Sequence, residues 1–286
     1  MTPSKIALIT DSTAALPEEI CRRYNVRVIP TMLHWGAQSF RDGVDITPQA
    51  FFERLKTDPV HPTTSAYSIG TAQEVYREAA AESEGVLGLH LSSLLSGVYG
   101  ISQQARELMP ELNIRLIDTR TTAMAMGFIV QQVGEACAQG ASLDEAAALA
   151  QAMIAQSGVL ISPEVLTYLQ RGGRIGAAAA IVGGLLDLKP LLDLQDGMLK
   201  PLERVRSRKK ALARIADVTV ERLAGKDKVR LAGVHANAAD EAQALADAIA
   251  DRLGASVVQK LVAPVSPTVG THIGPGTVGI TYTWGY

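Results

Sequence analysis

Apolar and polar positions follow two different periods along this chain, and the switches between them mark its elements. The run KIALIT, Lys5 to Thr10, is almost continuously apolar and reads as a strand buried on both faces. Leu16-Pro17-Glu18-Glu19 then opens a helix, with Pro in the first turn and two acids near the positive end of the helix dipole. VRVIP, Val26 to Pro30, is a second strand, and TPQAFFERL begins another helix with Thr47 as cap and Pro48 behind it. VLGLHL, a helix from about Ser96, and IRLIDT repeat the alternation. The box Ser142-x-x-Glu145 starts an Ala-rich helix running to about Gln156. Strands separated by helices imply right-handed crossovers and a parallel, helix-flanked sheet.

The pattern changes further on. Leu191 to Glu203 reads as a β-hairpin, because Asp196-Gly197 suits a tight turn that needs positive φ. A basic amphipathic helix is predicted from about Ser207 to Leu223. VRLAGVH, Val229 to His235, is a strand, Ala238 to Leu253 a helix closed by Gly254, and ASVVQKLVA another strand. The fold class is therefore α/β with two α/β domains, residues 1–158 and 159–286. The boundary near Val159 is approximate.

Composition narrows the class. A chain of 286 residues exceeds what one core usually holds. Its 47% hydrophobic and 5% aromatic content describes a core of Ala, Leu, Val and Ile. A net charge of −2 argues against a general nucleic-acid or membrane-surface protein. Two cysteines, Cys21 and Cys137, are too few for a disulfide scaffold or a zinc site. The opening MTPSKIALITD has no basic-then-apolar leader, and the apolar run Ile175 to Leu186 is too short to span a bilayer. A cytoplasmic protein without stable membrane insertion is expected.

The residue types that carry chemistry are few. THIGPGTVGITYTW, Thr271 to Trp284, delivers His272 to a sharp turn before an alternating strand, since Gly274 and Gly276 can take backbone angles closed to other residues. Taken alone, His272 reads equally as a structural histidine, and Ser96 as a helix N-cap. There is no G-x-S-x-G elbow, no GxxxxGK[ST] loop, no G-x-G-x-x-G and no metal-ligand spacing. Asp11 is expected to cap backbone rather than act as a base. Phe51, Phe52, Met124, Met126 and Phe128 fit either a core or the wall of a tunnel, as does the smooth run IGAAAAIVGGLL.

Eight segments, taken together and in order, resemble the DegV family of bacterial fatty-acid-binding proteins, the lipid-presenting subunits of fatty acid kinase. They are ITDSTAALP (Ile9 to Pro17), RDGVDIT (Arg41 to Thr47), HPTTSAYS (His61 to Ser68), SSLLSGVYG (Ser92 to Gly100), YLQRGGRI (Tyr168 to Ile175), LLDLKPLL (Leu185 to Leu192), VRSRKKAL (Val205 to Leu212) and the His272 segment. The resemblance implies that Thr64, Ser96 and His272 bind a fatty-acid carboxylate, with Ser65, Gly97 and Gly274 in support. It implies a long-chain fatty acid such as palmitate as the ligand bound between the two domains, no other cofactor, no metal and no catalytic residue. The partner would be the catalytic subunit of a fatty acid kinase, in phospholipid metabolism, docked through Arg174 and Arg206. These two stand out in a basic cluster with Arg171, Arg208, Lys209 and Lys210. Val98-Tyr99 departs from the family's usual Thr-Tyr. Two alternatives stand beside this reading: a hydrolase or transferase using Ser96 with His272 as base, and a lipid sensor or store without a kinase.

Overall fold

The computed structural model describes residues 5–181 and 189–286. Strands β1 (Ile6–Asp11), β2 (Val26–Ile29), β6 (Gly85–His90) and β7 (Ile114–Asp118) form a four-stranded sheet in the order β2-β1-β6-β7. Every pairing in it is parallel, as the buried apolar runs predict. Its helices include α1 (Glu18–Tyr24), α3 (Ile69–Ala81), α4 (Val98–Glu107) and α6 (Leu143–Ile154). The capping box at Ser142 and Glu145 closes as expected, with the Ser142 hydroxyl accepting from the Glu145 amide and the Glu145 carboxylate from the Ser142 amide.

A second sheet runs β10-β9-β8-β13-β11-β12, built from β8 (Ser157–Ser162), β9 (Lys189–Gln195), β10 (Met198–Val205), β11 (Val229–His235), β12 (Val257–Pro264) and β13 (Val278–Thr283). Only β11 and β12 pair in parallel; the rest is antiparallel. The β9–β10 hairpin turns at Asp196 (φ 52°) and Gly197 (φ 86°), the left-handed pair that Asp-Gly favours. Helices α8 (Arg208–Leu223, capped by Ser207) and α9 (Ala239–Leu253) cover this sheet.

Helix α5 (Ala123–Ala138) lies between the two sheets and touches strands of both. It is apolar almost all round, which is the signature of a helix with no solvent face. Met124, Met126 and Phe128, candidates for a tunnel wall, are fully buried core residues of this helix. Phe51 and Phe52 are also core: their rings meet edge to face at 4.9 Å, with Trp35 against Phe51. They belong to α2 (Pro48–Thr57), whose Thr47 cap and leading Pro48 are as predicted.

Several elements have no counterpart in the sequence reading. Strands β3 (Met32–Trp35), β4 (Gln38–Arg41) and β5 (Thr63–Ser65) form an antiparallel three-stranded sheet. Its buried Leu33 and Trp35 join one hydrophobic cluster with Val159, Ile161, Leu192 and Val234 of the second sheet. His272 does not stand on a strand-entry turn: it occupies the last turn of a short helix, α10 (Pro267–Ile273), whose N-cap is Ser266. The run from Ile175 begins as a 3₁₀ helix over Gly176–Ile181. Its continuation to Leu186, and part of the segment LLDLKPLL, lie outside the described residues.

Candidate functional site

A cavity of about 480 Å³ lies where the three sheets meet, within the size range of small-molecule sites. Most of its wall is aliphatic, with Leu91, Leu95, Val159, Ile161, Leu194 and Val234 among the contributors. Polar side chains interrupt it: Thr64, Ser65, Ser96, Arg174 and His272 line the cavity, with Gly97 among them, as do Thr13, Thr31, Gln104, Thr122 and Thr268.

Each side chain is delivered by a different element. Thr64 is the middle residue of β5, pairing with Leu33 of β3. Ser65 beside it is held by His34, whose Nε2 lies 2.9 Å from the Ser65 hydroxyl. Ser96 sits in the loop between β6 and α4, half-buried, and its hydroxyl accepts only a long 3.4 Å contact from the Val98 amide. It is not the N-cap of α4; that position belongs to Gly97, which makes no side-chain cap. A Cβ added to Gly97 would meet only open space.

His272 is brought in from the far end of the chain. Its Nε2 lies 2.8 Å from the Thr64 hydroxyl, while the buried Nδ1 has no partner. Gly274 terminates α10 at φ +75°, and a Cβ there would stand 2.3 Å from the Tyr168 ring. A Cβ at Gly172 would fall 2.1 Å from His272 Nδ1. Gly172 thus lets the chain pass close against the imidazole, and Gly274 lets it pass against the Tyr168 ring. Burial, then Arg174, then His61 hold the His272 pKa down to about 4, so the ring is neutral near pH 7.

Arg174, expected as a docking residue, lies in the cavity wall. It is part of helix α7's exit (α7, Thr167–Arg171), where Gly173 at φ +70° turns the chain inward. Its Nε donates to Leu95 O at 3.0 Å and its Nη1 to Gly172 O at 2.6 Å. No Asp or Glu lines the cavity among the described residues, and Arg174 brings its only formal charge near neutrality. The paired glycines before Arg174 were the available sign of a close backbone approach. Arg206 stands elsewhere, exposed between β10 and α8. Arg208 is not a free basic residue: it bonds Glu241 and the carbonyls of Ser162 and Gly276.

Asp11 caps backbone, as expected. Its carboxylate accepts from the Thr13 amide and hydroxyl and from the Leu91 amide, with His90 Nδ1 at 3.2 Å. Among the described residues, no group of His, Cys, Asp and Glu could hold a metal, and no helix is long and apolar enough to cross a membrane.

The whole architecture has known relatives. Residues 5–284 match the DegV family model. A DegV domain-containing protein of Streptomyces coelicolor is 36% identical over 277 residues, covering 96% of this chain and 97% of the relative. The structure superimposes on a fatty-acid-binding DegV family protein from Thermus thermophilus with a TM-score of 0.92 and 32% identity, covering 98% of this chain and 99% of the other. DegV from Bacillus subtilis, a fatty acid binding protein, gives a TM-score of 0.88 at 28% identity, with coverage of 98% and 99%. On this evidence the chain belongs to the DegV family.

Proposed function

We propose that this protein binds one long-chain fatty acid, with the tail in the aliphatic cavity and the carboxylate at Thr64, Ser96 and His272. The observation that carries the reading is the cavity's composition: a mainly aliphatic lining with several hydroxyls, one neutral imidazole and one guanidinium, and no acid among the described residues. Burying about fourteen methylenes at about 0.8 kcal/mol each yields about 11 kcal/mol gross, which only an enclosed tail can realise. Association costs of about 4 to 15 kcal/mol oppose it, so the head group must contribute as well.

The head-group chemistry depends on one proton. Either imidazole tautomer satisfies the 2.8 Å contact between His272 Nε2 and Thr64. Only the tautomer with the proton on Nε2 leaves the Thr64 hydroxyl hydrogen free to donate to a carboxylate. Ser96 supplies a second hydroxyl, and Arg174 offsets the ligand's charge from the wall. Similarity to proteins whose structures are described as fatty acid binding supports the same ligand class.

The carboxylate would then be offered to a separate ATP-dependent kinase, forming an acyl-phosphate, with this chain as the non-catalytic lipid-binding subunit in the cytoplasm. Exposed Arg206 would meet the partner, and Arg174 would contribute from the cavity side. The ligand would be held between the residue 1–158 and 159–286 portions, a division that is approximate because Val159 lies within β8. The hydroxyl paired with His272 belongs to Thr64, so the Ser96–His272 couple of a hydrolase or transferase has no support in the hydrogen bonding. Mass spectrometry of an organic extract of the native protein tests the reading. A co-purified long-chain fatty acid is expected; an empty protein whose affinity for straight-chain acids does not rise with chain length would overturn it.

A further inference from the structure

Among the described residues, every one that the second sheet contributes to the candidate site is aliphatic: Val159 and Ile161 of β8, Leu194 of β9, Leu199 of β10 and Val234 of β11. The polar side chains of the cavity come from other elements, Arg174 and His272 among them. A hydrocarbon tail bound here therefore lies along the sheet, where it meets no donor or acceptor side chain.

That face has a break in it. β8 pairs with β9 only through Ile161 with Leu192 and Leu160 with Asp193, although β8 begins at Ser157 and β9 runs on to Gln195. Over that stretch each strand keeps its other neighbour, β13 for β8 and β10 for β9, so the two diverge. A separate cavity of about 550 Å³ opens beside the gap, with Arg120, Gln151, Asp193, Gln195 and Arg222 in its lining. Its acid is already served: Arg222 Nη2 and Gln195 Nε2 donate to Asp193 Oδ2 at 2.6 and 2.7 Å. Among the described residues, Leu194 alone lines both cavities. Chain neighbours stand on opposite sides at two further points, Thr122 and Val159 toward the candidate site and Thr121 and Gly158 toward the polar cavity.

We propose, resting on the fatty-acid reading above, that Leu194 is the residue that limits acyl-chain length: the terminal methyl ends against its side chain, which closes the gap between β8 and β9. A tail that passed it would leave aliphatic surroundings for charged and amide groups, and would gain nothing further from burial. Leu194 is itself 9% exposed and belongs to one hydrophobic cluster with Val159, Ile161 and Leu192. The partition at this point is a single side chain, so its size sets how many methylenes fit.

Equilibrium binding of saturated straight-chain acids from C12 to C24 to the whole protein, as wild type, Leu194→Ala and Leu194→Phe, tests the assignment. Wild-type affinity should rise about fourfold per added methylene, matching about 0.8 kcal/mol each, and level off at a limiting length. Leu194→Ala should move that limit up by about two to three carbons, the size of the group removed, and Leu194→Phe should move it down. Should Leu194→Ala not fold, Leu194→Val, smaller by one methylene, shifts the limit in the same direction. Gln195→Ala, which trims the polar cavity alone, should leave the limit where it is. A limit that no folded Leu194 variant moves, or that Gln195→Ala moves as far, would refute the role of Leu194 and leave the fatty-acid reading standing. Wild-type affinity that never rises with chain length would remove both.

Discussion

Two histidines sit in opposite kinds of surroundings, and the contrast separates structure from function in this molecule. His90, at the end of β6, is fully buried with a neighbour at every polar edge. Tyr76 OH lies 2.7 Å from its Nε2 and Ser102 Oγ 3.3 Å, while Asp11 lies 3.2 Å and Tyr67 OH 3.5 Å from its Nδ1. Nothing in that cluster is left over to meet a ligand. His272 has one partner, a bare buried Nδ1 and a cavity beside it. A polar network completed from within stabilises the fold; one left incomplete beside a cavity is available for binding.

The largest expected effect tests the completed network. His90→Leu leaves the buried Asp11 carboxylate short of a partner and two tyrosine hydroxyls without their imidazole. Stability should fall by about 1 to 3 kcal/mol for each buried polar group left unpaired. Urea unfolding would measure it, and a change below about 1 kcal/mol would show that the cluster is not the structural half of the contrast.

Next comes acid stability. A His whose folded pKa lies at about 4, below its ordinary 6.5, binds protons more readily unfolded. Stability therefore falls as pH drops through 6.5, and the loss is complete only below about 4. The shift corresponds to about 3 kcal/mol. His272→Gln should remove that share of the acid sensitivity while leaving neutral-pH stability nearly intact. Thermal midpoints of wild type and variant between pH 7 and pH 4 give the difference, and parallel curves would contradict the neutral, desolvated imidazole.

Ser96→Ala sharpens the contrast from the ligand side. Loss of one charge-assisted hydrogen bond costs about 1.5 to 3 kcal/mol, so palmitate affinity should drop roughly tenfold to a hundredfold while the fold is untouched. Acyl-phosphate formation should suffer more, because a head group misplaced by about 1 Å can lose two orders of magnitude in rate. Calorimetry and a kinase assay read the two quantities; an equal loss in both would mean that Ser96 only anchors.

Smallest of all on lipid affinity should be Arg206→Ala, an exposed residue outside both networks. Affinity is expected to stay within about twofold, as for most surface substitutions. Acyl-phosphate formation with a cognate kinase should nevertheless decline. Unchanged phosphorylation would remove the docking role.

The sequence alone determined the elements whose causes are local. Ser142 and Glu145 cap the same helix they predict, Thr47-Pro48 opens α2, Asp196-Gly197 turns the β9–β10 hairpin, and the apolar runs became parallel strands. Motif order also nominated Thr64, Ser96 and His272, which the fold brings to one cavity. Tertiary structure decided what depends on distant partners. By pattern Phe51 and Met124 read as core with a tunnel wall as the alternative, and the burial of α2 and α5 makes them core. The resemblance marked Arg174 as a docking residue, and only the fold shows that it lines the cavity, donates to Leu95 O and lies near His272. The short strands β3 to β5 carry too few residues for a periodic signal, and their register comes from pairing with one another. The pairing of Thr64 with His272, 208 residues apart, was beyond any local pattern. Capping and periodicity act within a few residues, whereas desolvation and the satisfaction of buried polar atoms are set by whatever the folded chain brings alongside.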